Sequence, residues 1–220
     1  MIKTVIFDMD GTLIDTEKYY RIFWPKALAA FGYTMTDEQA LCMRSLGRPF
    51  GPAMLKAWYG EELDYHAVRS KRKELMDAYL ENVQIEIKPG AVELLEYLQK
   101  QGIQTAVATA TELSRAEEYL RELGLYDYFD RIVSATMVKE GKPAPDLYTY
   151  TCQELGKEPR ECIAVEDSPN GVTSAYRAGC KVVMVPDQTQ PDAELREMLY
   201  ACVENLWEIS ELIERDCFQK

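Results

Sequence analysis

Short apolar segments alternate with segments of helical periodicity from Pro89 to Val185. Ala91, Leu94, Leu95 and Leu98, for example, recur at the spacing that puts them on one face of a helix. Buried strands that alternate with amphipathic helices are typical of a parallel sheet covered on both faces. The sequence therefore predicts an α/β fold with a Rossmann-like parallel sheet. The predicted strands are 3–7, 104–109, 131–135, 162–166 and 181–185, and the predicted helices between them begin near residues 91, 113, 146 and 170.

A helix-rich segment separates the first strand from the rest of this pattern. It has few strand signals, and its predicted helices are 18–31, 36–46, 51–59 and 64–82. We therefore expect a discontinuous α/β domain, residues 1–15 plus 86–220, into which a small α-helical bundle, residues 16–85, is inserted. A chain of 220 residues that is 47% hydrophobic is long enough for one such domain with an insert.

Charge and hydropathy narrow the classes of partner. The 25 Lys and Arg against 37 Asp and Glu give a net charge of −12, which disfavours nucleic-acid binding by charge alone. No stretch approaches the roughly 20 apolar residues of a membrane helix, and a charged cluster follows the first strand at once. We expect a cytoplasmic monomer without nucleic-acid or membrane partners. The cysteines form no CxxC pair and are interpreted as buried free thiols: Cys42, Cys152, Cys162, Cys180, Cys202 and Cys217.

Polar residues follow four of the predicted strands. In an open parallel sheet, ligands bind beyond the carboxyl ends of the strands, so these residues should meet at one edge. The first and fourth strands are followed by carboxylates, the second by hydroxyls, and the third by a loop that carries a lysine. In chain order the residues are Asp8, Asp10, Thr109, Thr111, Lys142, Glu166, Asp167 and Ser168.

This set of side chains suits a phosphoryl group that is bound together with Mg²⁺. Magnesium prefers carboxylate and water oxygens, and it allows several carboxylates to share one site. A carboxylate can attack phosphorus, and a second carboxyl can protonate the leaving oxygen. Hydroxyl, lysine and backbone N–H groups can neutralise the charge of the transferring group. Each residue also has a structural alternative, as a turn cap, a strand residue, a solvated loop residue or the first turn of a helix.

Four short motifs in this order resemble the haloacid dehalogenase-like superfamily of phosphatases and phosphomutases. They are "DMDGT" at 8–12, "AVATAT" around Thr109, "GKPAPD" with Lys142, and "EDSPNG" at 166–171. Each motif alone is weak, whereas the ordered set is strong, and it spans the α/β part of the chain. The helical insert after the first motif is similar to the family's small cap. The chain is most similar to the subgroup that contains β-phosphoglucomutase and small sugar-phosphate phosphatases.

The resemblance implies a role for each matching residue. Asp8 would be the nucleophile that becomes phosphorylated, and Asp10 would be the general acid and then the base that activates water. Mg²⁺ would be held by the Asp8 carboxylate, the Asp10 backbone carbonyl and Asp167, with Glu166 as a ligand or an outer partner. The substrate would be a small phosphorylated metabolite.

The resemblance also implies which groups hold the substrate. Thr109, the Ala110 N–H and Lys142 would hold the phosphoryl oxygens, and Gly11 would let the loop turn closely beneath the substrate. Further substrate contacts are expected from Thr12 and Thr111.

The insert offers fewer signals. Arg48 stands between a glycine and a proline on a predicted loop, where it could reach a substrate phosphate or carboxylate or simply lie at the surface. Asp15 and Thr16 are expected at the hinge or at the N-terminus of the first insert helix. Tyr20 lies in a stretch where the subgroup's mutases tend to carry a histidine, and His66 is expected to be structural or at the surface. The aromatic residues of the insert are expected to pack within the bundle.

Three functions remain open at this point. The leading hypothesis is a Mg²⁺-dependent phosphatase, and the nearest alternative is a phosphomutase of the β-phosphoglucomutase type. A phospho-accepting signalling switch also combines acids, a hydroxyl, a lysine and Mg²⁺ on a parallel sheet, but such domains lack a helical insert. A dehalogenase is disfavoured by the second acid, Asp10, and a silent binding protein by the intact motif set.

Overall fold

The computed structural model describes residues 2–218, and their side chains as far as Arg215. Within this range the strands form one parallel sheet in the order β3-β2-β1-β4-β5-β6. The predicted α/β fold is therefore confirmed. The strands are β1 (Thr4–Phe7), β2 (Gln104–Thr109), β3 (Arg131–Ser134), β4 (Cys162–Glu166), β5 (Lys181–Met184) and β6 (Ala201–Cys202).

The first strand lies in the middle of the sheet because its side chains are apolar on both faces. Val5 and Phe7 belong to one buried cluster and Ile6 to the other, and all three are fully buried. Phe7 is in register with Val107 of β2 and with Val165 of β4. Whatever follows Phe7 is thus flanked by the carboxyl ends of both neighbouring strands.

Helices cover the two faces of the sheet. One face packs against α5, α6 and α10, and the other packs against α7 and α8. The helices of this part are α5 (Ala91–Lys100), α6 (Leu113–Glu122), α7 (Asp146–Glu154), α8 (Pro169–Ala178), α9 (Ala193–Glu197) and α10 (Glu208–Phe218). This arrangement leaves the carboxyl edge of the sheet free for the loops that carry the polar residues.

The segment between β1 and α5 forms a separate helical layer with its own apolar cluster, which includes Trp24, Leu28 and Leu55. Two of its helices are capped, since Thr36 accepts from the Gln39 N–H at 3.2 Å and Asp64 accepts from two backbone N–H groups. The domain boundaries at 15/16 and 85/86 stay a prediction. The helices are α1 (Glu17–Ala29), α2 (Asp37–Cys42), α3 (Phe50–Tyr59) and α4 (Tyr65–Leu80).

Two chain crossings join this layer to the sheet. The Asp15 N–H donates to Glu86 O at 2.9 Å and the Lys88 N–H donates to Leu13 O at 2.9 Å, so the crossings run side by side. Lys18 lies 2.6 Å from Asp15 Oδ2 and adds an ion pair at the same place. Asp15 therefore lies at the junction, as expected.

Some features were not predicted from the sequence. β6 and the helices α9 and α10 lie beyond the last predicted strand. Cys42 and Cys202 are exposed, so the prediction of buried thiols was wrong for them: one lies at the end of a short helix and the other on the edge strand. The side chain of Cys217 lies outside the described residues. Across residues 2–218 we found no helix with the length and apolar character needed to cross a bilayer.

Candidate active site

The loop after β1 turns sharply at the carboxyl edge of the sheet. The Asp8 N–H donates to Val165 O at 2.9 Å, which continues the pairing of β1 with β4 by one residue. Gly11 has a φ of 89°, a conformation that favours glycine. A Cβ at Gly11 would lie 2.5 Å from Asp167 Oδ2 and 2.9 Å from Glu17 Cγ. Glycine at this position therefore allows the loop to pack directly against Asp167.

Three buried carboxylates meet at the centre of this edge. Asp8, Glu166 and Asp167 each offer an oxygen, and these oxygens all lie within 4.8 Å of one another. Lys142 Nζ donates to Asp8 and, at 2.6 Å, to Glu166 Oε1. The hydroxyl of Tyr148 also donates to Glu166 Oε1, at 2.6 Å. The loop that carries Lys142 and the helix α7, which carries Tyr148, thus hold Asp8 and Glu166 in place.

The electrostatics of this cluster favour a further cation. Burial raises the pKa of Asp8 well above its usual range, and the cation of Lys142 only partly opposes this. Burial alone would lower the pKa of Lys142, but Asp8 and Glu166 outweigh it and raise that pKa. Asp8 Oδ2 is buried and has no hydrogen-bond partner among the described residues. An oxygen-rich, under-neutralised cluster with a free carboxylate oxygen fits Mg²⁺.

A second cation reaches the cluster from the insert. Arg44 follows α2 and is almost fully buried, and its guanidinium donates to the carboxylate of Asp167. Burial raises the pKa of Asp167 to about 7, while Arg44 acts to lower it. Arg44 Nε lies 4.0 Å from Glu17 Oε2, and burial raises the pKa of Glu17 well above its usual range. Arg44 therefore links the insert to one of the candidate metal ligands.

Asp10 is surrounded by hydroxyl groups. Thr16 Oγ1 donates to Asp10 Oδ1 at 2.6 Å, and Thr109 and Thr111 donate to Asp10 Oδ2 at 3.2 and 2.8 Å. Thr109 Oγ1 in turn accepts from the Thr111 N–H at 3.0 Å. The hydroxyl of Tyr20, on α1 of the insert, lies 3.2 Å from Thr111 Oγ1. The second aspartate is thus fixed by residues from both layers.

A cavity of about 240 Å³ lies between the insert and these loops. Of the residues predicted to act in catalysis or substrate binding, those that line it are Asp8, Asp10, Arg48, Ala110 and Thr111. The exposed His66 also lines it, although the sequence placed this residue away from the motifs. The cavity is therefore lined by the two aspartates, by loops of the α/β part such as 110–112 and 135–136, and by residues of the insert.

The remaining predicted residues lie behind the cavity wall. Lys142 and Thr109 are fully buried and touch Asp8 and Asp10 rather than the cavity. Gly11 packs on Asp167, and the Thr12 hydroxyl donates to Asp167 Oδ1 at 3.4 Å. Their roles towards the substrate stay predictions, whereas their contacts with the carboxylates are direct.

Three residues of this site have no signal in the sequence motifs. Arg44 is one arginine among several in the insert, and Tyr148 lies on a helix with ordinary amphipathic spacing. Thr16 was expected as a helix cap or hinge, but its side chain makes no cap hydrogen bond and donates to Asp10 instead. Only the folded chain brings them to the carboxylates.

Comparison with known proteins agrees with this geometry. The family model described as haloacid dehalogenase-like hydrolase matches residues 2–179. The chain is 34% identical over 184 residues to the fructose-1-phosphate phosphatase YqaB of Escherichia coli, covering 82% of this chain and 95% of that protein. It is also 34% identical over 185 residues to a phosphorylated carbohydrates phosphatase of Thermotoga maritima, covering 81% of this chain and 82% of the relative.

Solved structures share the whole architecture. CbbY from Rhodobacter sphaeroides, in complex with phosphate, aligns with a TM-score of 0.78 at 28% identity, covering 95% of this chain and 96% of that one. A β-phosphoglucomutase from Clostridium difficile aligns with a TM-score of 0.84 over 98% of this chain and 96% of that one, and at 22% identity it supports the fold alone. The chain therefore belongs to the haloacid dehalogenase-like hydrolases and is an enzyme that acts on phosphate esters.

Proposed function

We propose that this protein is a Mg²⁺-dependent phosphatase that hydrolyses a small phosphorylated metabolite through a phosphorylated Asp8. The observation that carries the proposal is the state of the Asp8 carboxylate. One of its oxygens accepts from Lys142, while the other has no partner among the described residues, and Asp8 lines the cavity. An oxygen without a hydrogen-bond partner has its lone pairs available for attack on phosphorus.

The reaction would proceed in two displacements. The Asp8 carboxylate attacks phosphorus, the bond from phosphorus to the leaving oxygen breaks, and Asp10 gives its proton to that oxygen. Water then attacks the same phosphorus, Asp10 takes a proton from the water, and the bond between phosphorus and Asp8 breaks. Inorganic phosphate and the free alcohol are the products, and the enzyme returns to its starting state.

The surroundings of Asp10 support its role as acid and base. Thr16, Thr109 and Thr111 donate to its carboxylate in this structure, as suits the deprotonated form. A hydroxyl group can also accept a hydrogen bond after rotation, so the same three residues can hold the protonated form. Rotation of a hydroxyl group is therefore enough for these residues to hold Asp10 in either role.

The remaining residues would neutralise charge. Lys142 would balance Asp8, and the Ala110 N–H would hold a phosphoryl oxygen together with Thr109. Asp8, the Asp10 carbonyl and Asp167 would hold Mg²⁺, with Glu166 as a ligand or an outer partner. When bound, the metal would supply positive charge next to the phosphoryl oxygens.

The substrate class is proposed from the cavity and from the relatives. A volume of about 240 Å³ suits a small metabolite, and the two curated relatives named above are phosphatases of fructose 1-phosphate and of phosphorylated carbohydrates. A probable pseudouridine-5'-phosphatase of Drosophila melanogaster is 31% identical over 191 residues, covering 83% of this chain and 80% of the relative. We therefore propose a sugar phosphate or a nucleoside-type phosphate.

A phosphomutase of the β-phosphoglucomutase type is the second candidate. It would use the same two aspartates but pass the phosphoryl group to a sugar hydroxyl. Tyr20, in the stretch where such mutases tend to carry a histidine, has its hydroxyl beside Thr111 rather than a titratable imidazole, which favours hydrolysis. In either case residues 16–85 would act as the cap that covers the site and selects the substrate. That the enzyme works as a cytoplasmic monomer also stays a prediction.

The test is a screen for phosphate release. Phosphorylated sugars and nucleotides are incubated with the protein and Mg²⁺, alongside an assay for glucose 1-phosphate isomerisation. We expect release of phosphate from at least one monophosphate, its loss with EDTA, its return with Mg²⁺, and its absence in Asp8→Asn. Isomerisation without net release would support the mutase, and near wild-type turnover by Asp8→Asn would exclude both mechanisms.

A further inference from the structure

Three cysteine side chains meet at the amino edge of the sheet. Cys152 lies on α7, Cys162 is the first residue of β4, and Cys180 directly precedes β5. Cys152 Sγ lies 3.8 Å from Cys162 Sγ and 4.0 Å from Cys180 Sγ. Since β4 begins at Cys162 and ends at Glu166, these thiols lie at the opposite end of the strand from the carboxylates.

The contacts between the sulfurs form a chain. Cys152 donates to Cys162, which donates to Glu158 O at 3.6 Å, and in the contact between Cys152 and Cys180 either sulfur can be the donor. All three residues also pack in the apolar cluster on this face of the sheet, which is the ordinary role of a buried thiol. Small apolar residues would fill the same space, whereas only sulfur lets neighbouring side chains join by a covalent bond.

The three thiols differ in their access to solvent and in how readily they lose a proton. Cys180 is 7% exposed, against 1% for Cys152 and 0% for Cys162. The pKa of Cys152 is raised to about 12: its hydrogen bond with Cys162 acts to lower it, but the hydrogen bond with Cys180 and burial outweigh this effect. The hydrogen bond with Cys152 and burial also raise the pKa of Cys162. A thiol attacks as its thiolate, so the first attack on an oxidant falls to Cys180.

We propose that Cys180 and Cys152 form a disulfide when the protein meets hydrogen peroxide. In the first step the Cys180 sulfur attacks one peroxide oxygen, the O–O bond breaks, and the other oxygen leaves as water with the proton that the thiol has lost. In the second step the Cys152 sulfur attacks the sulfenic acid of Cys180, the S–O bond breaks, and a second water leaves with the proton of Cys152. Two thiols lose two electrons and two protons in total, and one peroxide is reduced to two waters.

The second step depends on the proximity of the two sulfurs. An S–S bond is about 2.05 Å long, so a pair at 4.0 Å must approach by about 2 Å, and rotation about the Cα–Cβ bonds supplies such movement. A partner thiol held in contact with the sulfenic acid reacts at a high effective concentration, which offsets the low acidity of Cys152. The proposal does not depend on the reaction at the carboxyl edge of the sheet.

The experiment maps disulfides by mass spectrometry. The folded protein is exposed to hydrogen peroxide, its free thiols are blocked in acid, and it is digested with trypsin. Cleavage after Lys157 and Arg177 leaves Cys152, Cys162 and Cys180 on three separate peptides, so each disulfide gives its own linked pair. We expect the link between Cys152 and Cys180 to be at least about tenfold more abundant than that between Cys152 and Cys162, and to disappear with dithiothreitol.

Three variants separate the roles of the thiols. Cys152→Ala removes the thiol that closes the disulfide, so a dimedone adduct, which marks a sulfenic acid, should appear on the peptide of Cys180. Cys180→Ser removes the thiol that reacts first, so Cys152 should stay reduced. Cys162→Ala is the matched control, because Cys162 is as buried as Cys152 and also contacts it, and this variant should keep the disulfide. Thermal unfolding of each variant checks that the fold is kept.

The exposed thiols of Cys42 and Cys202 show in every sample that oxidation has taken place. Cys152 and Cys180 that remain reduced after both exposed thiols are oxidised would overturn the inference. A link between Cys152 and Cys162 as the main product would also overturn it, as would oxidation of Cys152 in Cys180→Ser at the wild-type rate. If the variants do not fold, the disulfide map of the wild-type protein decides alone.

Discussion

The guanidinium of Arg44, in the insert, donates a hydrogen bond to the carboxylate of Asp167, which directly follows β4. Both side chains are almost fully buried, and the same guanidinium lies 3.9 Å from Asp187 Oδ2. Asp167 is also a candidate metal ligand. Arg44 and a metal ion would therefore neutralise the same carboxylate, one from the insert and the other from the sheet.

The first prediction concerns this pair. Arg44→Gln leaves Asp167 buried without its cation, so without Mg²⁺ it should cost about 3–5 kcal/mol of unfolding free energy. With Mg²⁺ the loss should be smaller, because the metal then neutralises the carboxylate. Urea denaturation with and without Mg²⁺ measures both values.

The control for that experiment is Arg21→Gln. Arg21 also pairs with an aspartate, Asp37, but both side chains are well exposed, so the change should cost about 1 kcal/mol or less in either condition. An Arg44→Gln loss that Mg²⁺ does not reduce, or one no larger than that of the control, would contradict the prediction.

The second prediction concerns the dependence of stability on pH. Burial raises the pKa of Asp167 to about 7 and raises the pKa values of Asp8 and Glu17. Between the ordinary carboxyl pKa of about 4 and pH 7, the folded metal-free protein therefore binds more protons than the unfolded chain. Its melting temperature should fall as the pH rises through this window.

Mg²⁺ binds the deprotonated carboxylates, so the gain in melting temperature on its addition should be larger near pH 8 than near pH 6. Calorimetric scans at a fixed Mg²⁺ concentration measure that gain. A gain that is equal at the two pH values, or larger in acid, would show that these carboxylates do not hold the metal.

The third prediction concerns Tyr148, whose hydroxyl donates to Glu166. Tyr148→Phe removes one donor from a buried carboxylate and should cost about 1.5–3 kcal/mol of unfolding free energy. Tyr176→Phe is the control. Tyr176 is half exposed, so removal of its hydroxyl group should change the free energy of unfolding little. Urea denaturation of both variants measures the two losses. Equal denaturation midpoints for Tyr148→Phe and Tyr176→Phe would contradict the prediction.

The fourth prediction concerns the contact between Gly47 of the insert and Gly141, which precedes Lys142. The Gly47 N–H donates to Lys142 O at 2.8 Å, and the Gly141 N–H donates to Arg48 O at 2.6 Å. A Cβ on Gly47 would lie 2.6 Å from the Gly141 Cα, and a Cβ on Gly141 would lie 2.7 Å from the Gly47 Cα. An alanine at position 47 or at position 141 would therefore push the two loops apart.

Both Gly47→Ala and Gly141→Ala should therefore lower kcat/KM by roughly 10- to 100-fold, because Lys142 and the insert would shift relative to Asp8. Gly51→Ala serves as the control, since its Cβ would meet its nearest neighbour at 3.3 Å. Steady-state kinetics on one ester gives kcat/KM for the three variants. Wild-type kcat/KM in a folded Gly141→Ala protein would show that the contact does not position the site.

Local patterns were enough to predict most of the sheet. β2 and β4 have the predicted bounds, and β1, β3 and β5 each differ by one residue at one end. Most residues of these strands are buried, so each strand carries a short apolar run that marks it. β6 was missed because it is only two residues long, at Ala201–Cys202, where no periodicity can be read.

The candidate site was predictable where motifs mark it and not elsewhere. Asp8, Glu166 and Asp167 meet because β1 and β4 are neighbours in the parallel sheet, and their carboxyl ends share one edge. Arg44 reaches the site from the insert, and its approach depends on how that layer packs on the sheet. No local spacing encodes that packing, so the sequence predicted an arginine in the insert, Arg48, but not Arg44, which is buried at the site.

The central claim is that Asp8 carries the phosphoryl group during turnover. The most direct measurement is a rapid acid quench of the enzyme during hydrolysis of its ester, followed by mass mapping of the peptides. The account predicts one added phosphoryl group on the peptide that contains Asp8, at the position of that residue, and none in Asp8→Asn. Turnover with the phosphoryl group on another residue, or with no phosphorylated enzyme at any quench time, would contradict it.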